Sequence, residues 1–275
     1  MAEPIAATLT AWAAGLSFAD LPKAVVADAR PRILERLGII RAAARSPTAN
    51  AAPRAGLGGS GGDLVLGVAI GNEIGCRLGL VARGAFHDHG LHPTSVLGTP
   101  AAAMIAGRRL GLSAAQITSA VGISASQGSG VLEACSDGIW SKTLHPSGAG
   151  HAGIVAATLA REGFIGPTSA LDGTNRQFCS HVQQRDYPFD FTAATTGQSA
   201  SAAHSASPVP TGGCSRWPST RRLAPERGVS PARGSRLSSV RAAGVFPPGR
   251  IAAMIALCRR IADLPTTDAL LEAHA

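Results

Sequence analysis

Small side chains dominate this chain and limit how its core can be packed. Phe, Trp and Tyr together make up 4% of the 275 residues, whereas hydrophobic residues reach 45% and glycine occurs 33 times. A core with few large rings has to fill its volume by bringing backbones close together, and helices with Ala and Gly at their contacts do this well. Because no stretch of the first two thirds alternates with period two, strands are expected to be absent or few. The sequence therefore predicts a mainly α fold.

Helix start and stop signals divide the first two thirds of the chain into segments. Ser113 and Gln116 form an S-x-x-Q capping box, Asp63 can cap the apolar run that follows it, and Gly163 can end a helix. Pro31 is expected to kink or split the helix that contains it. The predicted helices span about residues 4–14, 20–40, 64–82, 101–110, 113–126 and 147–162, with a loop at 41–62 and a further amphipathic helix from 251.

Positive charge is concentrated in one segment of the chain. The formal net charge is +8, and the segment 193–250 alone holds eight arginines against a single acid, Glu226. This segment is rich in Ser, Pro, Gly and Ala and cannot bury enough apolar surface to offset its chain entropy, so it is predicted to be disordered. The basic surface of a nucleic-acid-binding domain is spread over a folded face, so nucleic acid is not the expected partner.

The cysteines and the apolar runs indicate a reduced, cytoplasmic protein. Five cysteines occur at positions 76, 135, 179, 214 and 258, without a CxxC pair or the ladder of a disulfide scaffold. The N-terminal segment has an acid at Glu3 and no basic region ahead of its apolar residues, so a secretory signal is not expected. Glu73 and Arg77 interrupt the apolar run 64–82, which favours a buried helix over a membrane span.

One candidate site lies in the stretch DGIWSKTLHPSGAGHAGI, residues 137–154, which gathers Lys142, His145 and His151. Gly-rich chain just ahead of a helix can direct backbone N–H groups and the positive end of the helix dipole at an anion. The lysine and histidines add donors for carboxylates, so the pattern predicts an anionic ligand. The alternative is that Lys142 is a solvated loop lysine and that the histidines cap helices or pack between them.

A second candidate site lies in FHDHGLHPTSVLG, where His87, His89 and His92 could be read as metal ligands. Asp88 is the one neighbouring acid, and no thiolate stands at a ligand-like interval, so a metalloenzyme is a minor alternative. His92 and Pro93, followed by Thr94 and Ser95, are more plausibly part of the same pocket as Lys142. The alternative is a structural histidine in the turn before a helix.

The residues from 92 to 173 resemble a known family. They contain a His-Pro turn, a helix of small residues, LGL, an Ala-rich helix ending in A-S-Q-x-S-G, then D-G-x-W-x-K-x-L-H-P and a helix ending in A-R-E-G-F-x-G-P. This order of motifs resembles the 2-methylcitrate dehydratase (MmgE/PrpD) family, which includes cis-aconitate decarboxylase and iminodisuccinate epimerase. VAIGNEIGCRLG and IALCRRIADLPTTDALLEA are similar to the family's N-terminal and C-terminal helices.

The resemblance implies a large all-helical domain with a smaller α/β lid, a homodimer, and neither a metal nor an organic cofactor. It implies a lyase, a dehydratase or a decarboxylase, that acts on a small di- or tricarboxylate such as 2-methylcitrate or cis-aconitate. It also implies catalytic roles for His92, Lys142 and His145, and substrate contacts for Thr94, Ser95 and His151. The alternative function is a non-catalytic helical dimer whose basic segment binds polyanions.

The chain also departs from the family pattern. Residues 29–62 contain no aspartate and no histidine, where the family carries an Asp-rich motif and a His-Pro that line the pocket. Residues 1–180 are therefore expected to form the helical domain with a deletion near 41–62, residues 181–250 a degenerate lid region, and residues 251–275 helices that return to the helical domain. We hypothesise that a shifted reading frame in the gene produced residues 193 to about 245. An alternative reading of this part of the gene that encodes strands would confirm the hypothesis, and the absence of such a reading would contradict it.

Overall fold

A computed structural model describes residues 3–44, 59–82, 84–133, 140–173, 178 and 248–267, and most of them are helical. Leu91 and Val131 form an isolated antiparallel bridge, and no strand occurs within these ranges. The mainly α fold is therefore confirmed, whereas most of the predicted lid region 181–250 lies outside the described residues. The helices are α1 (Ile5–Gly15), α2 (Lys23–Ala44), α3 (Gly61–Val81), α4 (Ala85–Asp88), α5 (Pro93–Val96), α6 (Gly98–Arg109), α7 (Ala114–Ala125), α8 (Leu144–Arg161) and α9 (Pro248–Arg259), with short 3₁₀ helices at Phe18–Asp20, Trp140–Thr143 and Ile261–Asp263.

The chain forms two compact units, of which the first comprises Met1–Leu16 and Ile70–Arg221. Its centre is the packing of α6, α7 and α8, and the buried residues there are small. Gly153 of α8 lies so close to α6 that a Cβ at this position would be 2.5 Å from the Cβ of Ala102. Close helix contacts through small residues, expected from the composition, are thus present. The buried cluster consists of Ala103, Ala106, Ala120, Ile123, Ala156, Ala157 and Ala160.

Polar contacts fix α1 at both ends within the first unit. The Asp172 carboxylate accepts a hydrogen bond of 2.8 Å from the Ile5 backbone N–H at the start of α1. At the other end, the Arg108 guanidinium donates to the carbonyls of Ala13 and Ala14 at 2.7 and 2.6 Å. These groups satisfy backbone atoms that the helix itself leaves without partners.

The capping signals read from the sequence are present in the structure. In the predicted box at the start of α7, Gln116 N–H donates to Ser113 Oγ at 3.3 Å, and Ser113 N–H donates to Gln116 Oε1 at 3.0 Å. Asp63 caps α3 from inside its first turn by accepting from the Ser60 N–H at 3.0 Å. The helix therefore begins at Gly61, three residues before the predicted start.

The second unit comprises Ser17–Ala69 and Arg222–Ala275. Its buried cluster consists of Ala29, Ile33, Val65, Cys258, Ile261 and Leu264. Of the kink or split predicted at Pro31, the split does not occur, because α2 runs through Pro31 without interruption. The helix also continues to Ala44, so the first part of the predicted loop 41–62 is wrong. Pro31 is exposed, whereas Ala29 and Ile33 on either side of it are buried, so core packing holds the helix across a proline whose ring faces solvent.

Helix α3 is long and apolar enough to cross a bilayer by length and composition alone. Ile70, Ile74 and Leu78, one face of this helix, are fully buried in the protein. Glu73 is also buried and forms an ion pair of 2.8 Å with Arg77 one turn later. The core helix of a soluble protein has the same properties, and the expectation that α3 does not span a membrane stays a prediction.

Candidate functional site

Two histidines that are 53 positions apart in the sequence form a hydrogen-bonded pair in the first unit. The Nδ1 atoms of His92 and His145 are 3.1 Å apart, and the ring centroids are separated by 5.2 Å. His92 is the residue just before α5, and His145 is the second residue of α8. The two motifs that the sequence singled out separately therefore meet at one site.

Backbone hydrogen bonds hold His92 beside the segment that ends the A-S-Q-x-S-G motif. The His92 N–H donates to the Gly130 carbonyl at 2.8 Å, and the Leu132 N–H donates to the Gly90 carbonyl at 2.8 Å. With the bridge between Leu91 and Val131, this gives a short antiparallel pairing that fixes the backbone at His92.

Gly130 allows the close approach that the pair requires. Its φ is +139°, and a Cβ at this position would be 2.9 Å from Ser95 Cβ and 3.3 Å from His145 Nδ1. The buried Ser95 side chain also lies beside Gly130 and donates to the carbonyl of His145 at 3.3 Å. The sequence predicted no role for Gly130. Its position at the end of the A-S-Q-x-S-G motif was the signal that could have identified it.

The surroundings of His92 keep its imidazole neutral. Burial is the largest cause that lowers the pKa of His92, and the positive charge of Lys142 together with His145 and His87 acts in the same direction, so that the pKa falls to about 4. Lys142 is half-buried in the 3₁₀ helix Trp140–Thr143, directly before α8. The structure therefore brings His92, His145 and Lys142 into one electrostatic neighbourhood.

This arrangement suits a small organic anion. Lys142 provides an amino group that can pair with a carboxylate, and the first turn of α8 directs the positive end of a helix of 18 residues to the same place. His92 and His145 can each donate or accept a proton at Nε2, because their Nδ1 atoms face one another. A carboxylate held by the lysine would present its neighbouring carbon atoms to two imidazoles.

Other predicted site residues are placed differently. Thr94 and His151 are exposed. His151 lies six residues after His145 on α8, which corresponds to about 120° around the helix axis, so the structure does not bring it to the histidine pair. Ser95 is buried and donates to the His145 carbonyl. Substrate contacts by Thr94, Ser95 and His151 stay predictions.

The histidines considered as metal ligands do not form a ligand set. His87 and His89 are exposed, and His89 Nδ1 lies 2.9 Å from the carbonyl of Ala85 in its own helical turn. His92 directs its Nδ1 at His145 instead. In the described part of the chain, no group of three His, Cys, Asp or Glu side chains is arranged to hold a metal ion.

Two proteins from Aspergillus species are similar to part of this chain. A "Cis-aconitate decarboxylase-like protein oryM" of Aspergillus oryzae is 34% identical over 126 residues, which are 46% of this chain and 26% of that protein. A "Cis-aconitate decarboxylase" of Aspergillus terreus is 31% identical over 114 residues, 41% of this chain and 23% of that protein. The matched region thus spans about a quarter of the length of these relatives. The sequence model of the MmgE/PrpD N-terminal domain matches residues 48–190, more than half of the chain, and so the chain belongs to the MmgE/PrpD family.

Proposed function

We propose that this protein is a cofactor-independent lyase for a small di- or tricarboxylate, either a dehydratase or a decarboxylase. The observation that carries the proposal is the hydrogen-bonded pair of His92 and His145 in the electrostatic neighbourhood of Lys142. The names of the two Aspergillus relatives support it, because cis-aconitate is a small tricarboxylate. The site has the groups that such a substrate requires, which are a cation, a base and a proton donor.

The proposed chemistry develops negative charge beside a carboxylate. Loss of a proton from the carbon next to that group, or loss of CO2 itself, leaves an electron pair that the carboxylate and a nearby cation have to stabilise. The Lys142 ammonium fills this role and also binds the substrate. In a dehydration, one imidazole accepts the carbon-bound proton and the other supplies a proton to the departing hydroxyl, so that water leaves and a carbon–carbon double bond forms.

We expect binding to be better preserved than turnover in this chain. The Asp-rich segment and the His-Pro that line the family's pocket have no counterpart in residues 29–62, which contain neither aspartate nor histidine. A pocket that lacks one wall still attracts a polyanion but admits water and positions the reacting carbon less well. The expected activity is therefore weak compared with that of a full-length relative.

The first experiment measures thermal unfolding in the presence of cis-aconitate, 2-methylcitrate or succinate. A ligand at about 100 times its Kd stabilises the folded protein by about 2.7 kcal/mol, so at least one of these compounds is expected to raise the Tm in a concentration-dependent manner. Incubation with the same compounds, followed by product analysis, then separates dehydration from decarboxylation.

A matched pair of variants makes this experiment specific. Lys142→Met is expected to abolish the ligand-induced shift, whereas Lys23→Met, at the exposed other lysine of the chain, is expected to leave it unchanged. If none of the three compounds moves the melting curve of the wild-type protein, the proposed function is wrong.

The proposal includes a cytoplasmic homodimer as the working form of the protein. Light scattering on the purified protein is then expected to give about twice the 27.7 kDa mass of one chain.

A second candidate function rests on the eight arginines between residues 193 and 250, which would bind polyanions without catalysis. It predicts DNA or RNA binding that weakens steeply with salt and is lost when residues 193–247 are deleted.

A further inference from the structure

The contact between His92 and His145 joins the Nδ1 atom of one ring to the Nδ1 atom of the other. Their Nδ1 atoms lie 3.1 Å apart, which is a hydrogen-bond distance. Such a bond needs a hydrogen on one Nδ1 and a free electron pair on the other. When both rings are neutral, the ring with a hydrogen on Nδ1 has a bare Nε2, and the ring that accepts at Nδ1 has its hydrogen on Nε2. The two rings are therefore held in opposite tautomers.

The surroundings decide which ring has which tautomer. A ring that becomes an imidazolium has hydrogens on both nitrogens and can only donate across the pair. His92 is the ring on which a positive charge is opposed by burial and by the nearby Lys142, with His145 and His87 adding smaller contributions. A positive charge is therefore disfavoured on His92, which makes His92 the acceptor at Nδ1 and His145 the donor from Nδ1. In the resting state, His145 has a bare Nε2 and His92 has an Nε2–H.

We propose that His92 and His145 act as one proton relay, in which His145 is the base through its bare Nε2 and His92 is the acid through its Nε2–H. This inference rests on the proposed lyase function and assigns the two proton-transfer roles within it. Because Nδ1 of each ring is engaged in the pair, each neutral ring offers the substrate only its Nε2, which is either an acid or a base. The hydrogen bond between the Nδ1 atoms couples them.

The relay balances for a dehydration. His145 Nε2 takes the proton from the carbon next to the carboxylate, and His92 Nε2–H gives its proton to the departing hydroxyl, which leaves as water. The hydrogen between the rings moves from His145 Nδ1 to His92 Nδ1. Both rings are neutral before and after the step, and their tautomers have been exchanged. Proton exchange of the two Nε2 atoms with water restores the starting arrangement.

Nitrogen NMR of the full chain labelled with ¹⁵N in its histidine rings tests the relay without any ligand. Long-range proton–nitrogen correlation distinguishes a ring with Nδ1–H from a ring with Nε2–H and from an imidazolium. We expect one neutral ring of each tautomer, with the Nδ1–H tautomer on His145. As the pH is lowered, His92 is expected to stay neutral until about pH 4.

Two substitutions assign the signals and provide a control. His92→Leu removes the acceptor and is expected to return His145 to the Nε2–H tautomer that a free neutral imidazole prefers, whereas His92→Asn can place its amide oxygen near the former Nδ1 position and is expected to keep His145 in the Nδ1–H tautomer. The exposed His151 serves as the reference for an unconstrained ring in the same spectra.

Several results would overturn the relay. They are two Nε2–H tautomers in the wild-type pair, uptake of the first proton by His92, or an identical His145 tautomer in His92→Asn and His92→Leu. These outcomes are read from the ligand-free protein. They are therefore distinguishable from a failure of the proposed function, which would appear as unchanged melting curves with polycarboxylates.

Discussion

Burial and the Lys142 charge keep His92 neutral in a pH range where a free histidine takes up a proton. The unfolded chain protonates this side chain near pH 6.5, but the folded protein does so only near pH 4. The unfolded state therefore binds more protons between these two values, and the free energy of unfolding decreases as the pH falls through this window. Above about pH 6.5, His92 is neutral in both the folded and the unfolded state, so this loss of stability is absent.

The pH dependence of stability can be tested with one variant. We expect the Tm of the wild-type protein to fall between about pH 6.5 and pH 4, and we expect His92→Asn to reduce this slope because the buried imidazole is gone. The exposed His151→Asn is the control and should retain the wild-type slope. Equal slopes in His92→Asn and wild type would show that His92 is not held neutral.

Gly130 is the residue at which the site tolerates a side chain least. Gly130→Ala would place a Cβ 2.9 Å from Ser95 Cβ and 3.3 Å from His145 Nδ1, at a φ of +139°. Strain and overpacking together are expected to cost about 2–4 kcal/mol of unfolding free energy and to separate the histidine rings. Denaturant unfolding measures the first effect and the tautomer spectra measure the second.

The control for Gly130→Ala is Gly111→Ala. Gly111 also has a positive φ of +70°, but no atom lies within 4 Å of the Cβ that alanine would add. This variant isolates the cost of the left-handed backbone, about 1–2 kcal/mol. Equal losses in the two variants would show that the crowding at Gly130 has no energetic effect.

At the scale of the helices, the start of α8 determines the site. The sequence predicted a helix from about residue 147, but α8 begins at Leu144 and includes Pro146 in its first turn. A proline in the first turn lacks an N–H that would have no partner inside the helix, so it costs little there. The earlier start places His145 on the helix and gives its ring a fixed direction.

Two glycines of α8 give opposite predictions. Gly153→Ala would put a Cβ 2.5 Å from Ala102 Cβ and 2.6 Å from the backbone nitrogen of Ala103, so we expect a loss of about 2–3 kcal/mol as α6 and α8 move apart. Gly150→Ala meets no atom within 4 Å and should stabilise the protein by about 0.5–1 kcal/mol through higher helix propensity.

Denaturant midpoints of both variants measure the difference. A similar change in Gly153→Ala and Gly150→Ala would contradict the close approach of α6 and α8. Gly98→Ala in α6 would place a Cβ 3.4 Å from the Cβ of Ala149, close to an ordinary contact distance, so its effect is expected to lie between those of the other two variants.

At the scale of the whole molecule, each unit has its own buried cluster, and Cys258 belongs to that of the second unit. Burial raises the pKa of Cys258 from 9.0 to about 11. Because only the thiolate reacts, alkylation of Cys258 at pH 8 is expected to be at least about 100-fold slower than in the unfolded chain. Peptide mass spectrometry after iodoacetamide treatment measures this rate.

The alkylation rate therefore reports the opening of the second unit. In denaturant, Cys258 should react at the rate of an ordinary thiol, which serves as the reference for the same peptide. Reaction of the native protein at that ordinary rate would mean that the cluster around Ala29, Ile33 and Cys258 does not exclude solvent.

Local features of the sequence were sufficient to predict much of this protein. The capping box of Ser113 and Gln116 and the small residues of α6 and α8 act over one or two helical turns, so they predicted helices and close packing correctly. The exposed Pro31 misled the reading of α2, because the burial of its neighbours, which holds the helix together, depends on distant parts of the chain.

The sequence by itself determined that the chain is mainly helical, since periodicity, caps and composition are local properties, and its motifs identified the family. Only the tertiary structure decided that His92 meets His145 through Nδ1, that Gly130 makes room for them and that His151 lies elsewhere. A hydrogen bond between residues 53 positions apart depends on how helices pack and on a few tenths of an ångström at a glycine. The spacing of residues along the chain gives neither the packing of the helices nor the space available at Gly130.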